Sequence, residues 1–449
     1  MFELLARVAD VDPDRIAVVT HDVELTYGEL VERSLRAAAW LAETSLGRLG
    51  VADFEADVAV PLLAGASVVG VQACLYPPDD PATIADLRTR MEHDVVVSDR
   101  DDLDDVGGRV VPPAELFAGA AAGGDGPGPA ARPHLVLTTG TTGAPRGVRH
   151  DWSRLVRSVD RVRPGVGQRW LLAYGLHQFA GLQVLLHVFA AGATLVAPAP
   201  RRPRAGLRAL RELGVTHASA TPTYWRFLVA EMDADGGRVP ALQQITMGGE
   251  AVPGAVLERV RRAFPSATVS QVYAASEFGS TGSVRDGRPG LSAAVLERGD
   301  DADVALKVVD GELWVRSRIG MLGYHGEPEI DPDAWRPTGD LVEVVGDRIE
   351  FRGRTSEIIN VGGVKVHPLP IEDRVGAVPG VAAVRVFARP NPMTGSIVAV
   401  EVVAEPGADE ALLRTAVRES CADLPAAARP RRVTLVDSLQ TVGGKIIRR

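Results

Sequence analysis

Lys445 is one of only three lysines in a chain of 449 residues, with Lys307 and Lys365, against 46 arginines. A sequence that uses arginine almost wherever it needs positive charge keeps a compact ammonium in Gly443-Gly444-Lys445-Ile446. A guanidinium is a rigid planar fork and an ammonium a point charge on a flexible stem, so the choice suits a site that wants a small cation. The alternative is a disordered basic tail. A second chemical feature is Leu137-Thr138-Thr139-Gly140-Thr141-Thr142-Gly143-Ala144-Pro145-Arg146-Gly147, an apolar run entering a loop of glycines and hydroxyls. Glycines let successive N–H groups turn toward one anion, and threonines add hydroxyl donors, which suits a polyphosphate. It is not a Walker A loop, because the closing Gly-Lys-Ser/Thr is missing.

Further blocks follow in order: Leu25-Thr26-Tyr27-Gly28-Glu29-Leu30, Met247-Gly248-Gly249-Glu250, Tyr273-Ala274-Ala275-Ser276-Glu277, Thr338-Gly339-Asp340-Leu341 and Gly353-Arg354-Thr355-Ser356-Glu357. Together with the threonine loop and the lysine tail they resemble the adenylate-forming superfamily of acyl- and aryl-CoA synthetases, peptide-synthetase adenylation domains and luciferases. The resemblance runs over nearly the whole chain and is nearest to acyl- or aryl-CoA ligases.

That resemblance implies ATP, Mg²⁺ and CoA as the chemical partners, and Lys445, Glu277 and His177 as catalytic side chains. Thr138, Thr139, Gly140, Thr141, Thr142, Gly143 and Arg146 would hold the phosphates. Gly249, Glu250, Tyr273 and Ser276 would face the adenine and α-phosphate, and Asp340 and Arg354 the ribose. Glu277 would bind Mg²⁺, a hard cation suited to carboxylate and phosphate oxygens. Lys445 would stabilise charge developing at the α-phosphorus, an effect of roughly 3–4 kcal/mol for a placed donor. Asn360-Val361-Gly362-Gly363-Val364-Lys365 resembles the loop that CoA ligases swing in for thioester formation, with Ser356 at the hinge. Lys365 either contacts the CoA nucleotide or is an exposed lysine without a role.

Gly175-Leu176-His177-Gln178-Phe179-Ala180-Gly181 resembles the acid-binding segment of these ligases. His177 would be a gate at the carboxylate end, with Phe179, Gly181, Met247, Gly248 and Ala274 lining an apolar pocket for an aryl or medium acyl acid. No acidic residue lies between Arg169 and Arg211, which disfavours an α-amino acid. The chain departs from the family pattern at Arg146, where a lysine is usual, at Ala274 for glycine and at Ser356 for aspartate. The implied reaction is carboxylate activation to acyl-AMP followed by transfer to CoA. Its rivals are loading of a carrier-protein phosphopantetheine, transfer to another nucleophile, and an inactive homologue that only binds, for which Arg146 and Ala274 are the sole support.

The elements that must position these groups read as α/β. Apolar β-rich runs (Leu135–Leu137, Ala193–Val196, Ala267–Val272) alternate with helical stretches at Leu207–Leu213 and Val256–Ala263. Residues 182–198 read as a buried helix followed by a strand, too short to span a membrane. From Val304 short strands and turns suggest a β-subdomain. The last residues, with strands at Ala382–Ala388 and Ser396–Val403 and a helix at Glu410–Cys421, make a small mobile α+β domain. The expected division is 1–352 for ATP and acid binding and 353–449 for the domain carrying the lysine. Ala118 to Arg132 reads as a flexible loop, and the arginine clusters at 201–204 and 429–432 as solvated loops or helix starts. A net charge of −9 with 46% hydrophobic and 24% charged residues describes a soluble protein without a nucleic-acid-binding face. Cys74 and Cys421 are far apart and make no metal or redox spacing, which fits a reducing cytoplasm. The N-terminus mixes charge into its apolar stretch and is no signal peptide.

Overall fold

The helix Tyr27–Thr44 starts where the sequence writes Thr26-Tyr27-Gly28-Glu29. Thr26 accepts the Glu29 N–H at 3.1 Å while the Glu29 carboxylate accepts the Thr26 N–H at 2.7 Å, a reciprocal cap that fixes the first turn. The phenol of Tyr27, fully buried, donates to the Ala193 carbonyl at 2.7 Å. The computed structural model describes residues 1–52, 54–103, 106–121, 131–138, 145–198, 201–405, 407–442 and 445–446, with Val442 and Lys445 described through their backbone alone.

The chain packs as two units. The first comprises Met1–Ser219, Ala274–Ser280 and Ser317–Ala334. It contains a seven-stranded sheet in the order Gly323–Tyr324, Arg146–Asp151, Pro133–Thr138, Gln72–Leu75, Arg48–Val51, Val95–Val97, Arg109–Val111. The strands are parallel from Pro133–Thr138 onward in that order, while Arg146–Asp151 and Gly323–Tyr324 add antiparallel. A second run of parallel strands, His217–Ala220, Arg169–Leu172, Thr194–Val196 and Ile16–Val19, closes with antiparallel Glu24–Thr26. The expected buried helix and following strand are Phe179–Ala191 and Thr194–Val196, with Gly192 left-handed between them. Parallel strands buried on both faces need continuous apolar runs, and the sequence supplies them.

The second unit comprises Ala220–Tyr273, Thr281–Arg316 and Trp335–Arg449. Within it Gln244–Gly248 pairs in parallel with Thr268–Ala275. The β-subdomain is a five-stranded sheet ordered Leu291–Ser292, Arg348–Arg354, Arg336–Val345, Glu312–Ser317, Val304–Val309. The α+β tail has its own five-stranded sheet, covered by the helices Pro368–Gly376 and Glu410–Ser420 around Ile371, Val375, Val400, Leu413 and Val417. The α/β class is as expected. The expected cut at 352/353 falls inside the strand Arg348–Arg354. Of the loop at 118–132, residues 122–130 lie outside the described set.

One expectation is corrected. Arg201 is not a solvated loop residue: its side chain is 16% exposed and pairs with Glu55 at 3.3 Å. Arg202, by contrast, is the N-cap of the helix Pro203–Glu212, a helix start as expected.

Two histidines sit face to face inside the first unit. His134 and His150 are cross-strand partners, and both are buried. The His134 ring packs on Trp152 with centroids 4.7 Å apart, and the His150 ring stacks on Phe179 at 5.2 Å. Burial pulls both imidazoles down to about 3, and His93, which shares a 2.6 Å hydrogen bond with Tyr76, likewise to about 3. Each depressed base takes its proton more readily in the unfolded chain, where its value is near 6.5. Stability is therefore complete above pH ~6.5 and falls as the pH drops toward 3. The urea midpoint should decline steadily between pH 6.5 and 4, and a His134→Phe/His150→Phe variant should flatten the slope; a midpoint constant over that range would contradict this packing.

Candidate active site

In the second unit, Asp340 lies on the strand Arg336–Val345 directly opposite Arg354 on its neighbour. Its side chain is 12% exposed and its carboxylate is held at both ends: Oδ1 accepts from Arg354 Nε at 2.9 Å and Oδ2 accepts the Tyr273 hydroxyl at 2.6 Å. Burial, then the adjacent Asp340 charge, raises the Tyr273 phenol well above its ordinary range, so it stays a donor. The same carboxylate raises the Arg354 guanidinium. The strand is irregular just before Asp340, where its pairing with Glu312–Ser317 shifts register. Thr338 Oγ1 donates to the Leu313 carbonyl at 2.7 Å and accepts the Asp340 N–H at 3.1 Å, and Gly339 adopts φ +79°, a conformation that favours glycine.

The first unit gathers another set at the end of its antiparallel strands. Thr138 Oγ1 donates to the Arg146 carbonyl at 3.4 Å. The Arg146 guanidinium lies 3.4 Å from the Tyr324 ring centroid and donates to Glu327 Oε1 at 2.5 Å. The Tyr324 hydroxyl donates to Glu277 Oε1 at 3.3 Å. Arg146 and Glu277, assigned from separate motifs, are thus joined through one tyrosine. Tyr324 and Glu327 were missed because no local pattern marks them; only the strand Gly323–Tyr324 pairing with Arg146–Asp151 brings them in. Thr139, Gly140, Thr141, Thr142 and Gly143 lie outside the described residues.

The acid-binding segment is a closed turn entering a helix. Gly175 N–H donates to Gln178 Oε1 at 3.0 Å, and the Gln178 N–H returns to the Gly175 carbonyl at 3.0 Å. A Cβ at Gly175 would meet His177 Cε1 at 2.4 Å, so the ring lies directly over that glycine. Burial, then the Arg201 charge, holds the His177 imidazole down at about 4, so it is neutral at physiological pH. Phe179 is buried and Ala274, which follows Tyr273 in sequence, is half-buried. Met247 is fully buried, Gly248 buried, and Gly249 turns the chain with φ +84°. Glu250 is half-buried and takes two protein amides, Thr223 N–H at 3.2 Å and Ile446 N–H at 3.3 Å.

Ser276 is half-buried, and Ser356 is exposed in the single turn Thr355–Glu357. Gly362 and Gly363, both at positive φ, form the two-residue tip of a hairpin between Ile359–Val361 and Val364–Val366. Lys365 is exposed beside that tip. Lys445 pairs through its backbone with Val442 in a short antiparallel ladder.

Family models match most of the chain: AMP-binding enzyme over residues 5–325 and AMP-binding enzyme C-terminal domain over 370–444. The chain is a member of the AMP-binding enzyme family. Phenyloxazoline synthase MbtB of Mycobacterium tuberculosis is 28% identical over 75% of this chain, which spans 25% of that protein. Fatty acid–[acyl-carrier-protein] ligase MmaC of Mycobacterium marinum is 28% identical over 70% of this chain and 66% of its own length. Among solved structures, the anthranilate CoA ligase AuaEII in complex with anthranoyl-AMP shares the fold with TM-score 0.86 at 20% identity, covering 99% of this chain and 95% of that one. Bacillus subtilis o-succinylbenzoate CoA synthetase with ATP and magnesium gives TM-score 0.78 at 22% identity, covering 99% and 98%.

The turn under His177 leaves no room at Gly181, where a Cβ would lie 2.3 Å from the Gly175 carbonyl oxygen, a backbone atom. Gly181→Ala should cost about 1–3 kcal/mol in urea unfolding. Unchanged stability would mean the turn is looser than described.

Proposed function

We propose that this AMP-binding enzyme activates an organic carboxylic acid with ATP, releasing pyrophosphate and forming acyl-AMP, and then passes the acyl group to the thiol of CoA. The observation that supports this best is Asp340: a carboxylate fixed by Tyr273 and Arg354 keeps acceptor capacity for a pair of vicinal hydroxyls, as a ribose offers. Thr138 to Gly143 with Arg146 would receive the β- and γ-phosphates, Ser276 the α-phosphate, and the Gly249–Glu250 turn with Tyr273 the adenine side. The donor set fits Mg²⁺, since one carboxylate at Glu277 with substrate phosphates is how that ion is commonly held. When bound, it would neutralise phosphate charge.

His177 is neutral and half-buried, so it would act as an aromatic gate without adding charge beside the acid. Phe179, Gly181, Met247, Gly248 and Ala274 would present an apolar wall to an aryl or medium acyl chain. Residues 353–449 would move as a domain about Ser356, bringing in Lys445 for adenylation and the Gly362–Gly363 hairpin with Lys365 for thioester formation. A phosphopantetheine arm is the favoured second acceptor, because relatives of this chain include acyl-carrier-protein ligases.

ATP–pyrophosphate exchange across aryl, short, medium and dicarboxylic acids tests the first step, and hydroxylamine traps the adenylate. Lys445→Ala should lower acyl-AMP formation by about two to three decades and leave thioester formation from supplied acyl-AMP within a few-fold of wild type. Equal loss of both steps would contradict a lysine that serves adenylation alone.

A further inference from the structure

We propose that Glu250 is a positioning residue for the Lys445 strand: its carboxylate ties the backbone next to that lysine to the start of the helix Pro222–Asp235. The inference rests on the function proposed above and adds to it which group holds the cation in place.

Glu250 follows the turn at Gly249, and both amides it accepts belong to the protein. One is Thr223 N–H, in the first turn of a helix whose early N–H groups lack partners within the helix. The other is the N–H of Ile446, the residue after Lys445 and 196 positions away in sequence. An anion at a helix N-terminus is favoured by the helix dipole, so the carboxylate is anchored on the helix side and offers its other oxygen to the tail.

Beneath it lies a cavity of about 60 Å³ lined by Thr223, Arg226, Glu250, Glu372 and Ile446. Its other walls are apolar, with Pro222, Pro253, Val256, Leu369 and Val381, so the polar groups stand at one side of a space with room for a few water molecules. Arg226 supplies the opposite charge there; Glu250 and Glu372 act to raise its guanidinium against the burial that lowers it. Glu372 is itself fixed by accepting the Val386 N–H at 2.9 Å. Near it, Arg259 donates to Asp233 at 3.0 Å and to Glu405 at 2.6 Å, linking the helix Gly254–Ala263 to the residue after the strand Gly395–Ala404. At this point the backbone of the tail is held by a hydrogen bond to a charged acceptor.

Glu250→Ala removes the acceptor, and Ile446→Pro removes the donor from the other side, since proline has no N–H. Each should slow hydroxamate formation at saturating ATP by about ten- to hundredfold, and Ile446→Pro should leave thioester formation from supplied acyl-AMP unchanged within twofold. Amide hydrogen exchange over residues 441–446 should quicken in Glu250→Ala, and the double variant should be no worse than either single one. Glu250→Gln, which keeps one acceptor oxygen, should fall between. A rise in the KM for ATP in Glu250→Ala without loss of saturated rate would confine Glu250 to nucleotide binding and overturn the proposal. Additive losses, or unchanged exchange over 441–446, would also overturn it. If wild-type protein traps no hydroxamate with any acid, the proposed reaction fails, and the exchange comparison still decides the role of Glu250.

Discussion

Both oxygens of Asp340 are engaged by protein donors, one by Arg354 on the neighbouring strand and one by Tyr273 from a strand of another sheet. A carboxylate pinned at two points cannot rotate, and its remaining lone pairs face fixed directions. The rest of the second unit serves that constraint. Gly339 takes a left-handed conformation within the strand, Thr338 ties that irregularity to Leu313, and Phe351 packs against the Tyr273 ring at 5.0 Å. Arg348, buried on the same strand as Arg354, donates to the carbonyls of Arg288, Pro289 and Gly290 and to Asp286, so the loop beside the sheet is pinned from within. The group proposed to select a ribose is preorganised before any ligand arrives, and such a site gives up little ordering entropy on binding.

The first unit shows why arginine can stand at position 146 where the family pattern has lysine. Its planar cation lies over Tyr324 and bonds Glu327 in one geometry, a combination that an ammonium matches poorly. The departure brings its own support, and through Tyr324 that support reaches Glu277. Arg146 is thus built into its surroundings by contacts of its own. Ala274, where the family pattern has glycine, adds a single methyl on a half-buried residue.

Much of this was legible in the sequence for local reasons. The capping box at Thr26–Glu29, the helix and strand either side of Gly192, the short strands after Val304 and the glycine pair at 362–363 each announce themselves within a few residues. The motif residues around Asp340 were also legible, because their order along the chain matches a known pattern. Tyr324, Glu327, His150 and the Ile446–Glu250 bond were not. Each depends on strand register or on a contact between segments far apart in sequence, which periodicity does not carry. Arg201 was misjudged for the same reason: its charge suggested solvent, and its partner Glu55 lies 146 positions away. The expected division at 352/353 falls within a strand that Gly353, at φ +118°, continues.

The most direct test of the central claim is the affinity of AMP for wild-type protein and for Asp340→Asn by titration calorimetry. The account predicts measurable binding to the wild type and a loss of about tenfold or more in the variant, the effect of weakening hydrogen bonds to a charged acceptor. Equal affinity in the two proteins would contradict it.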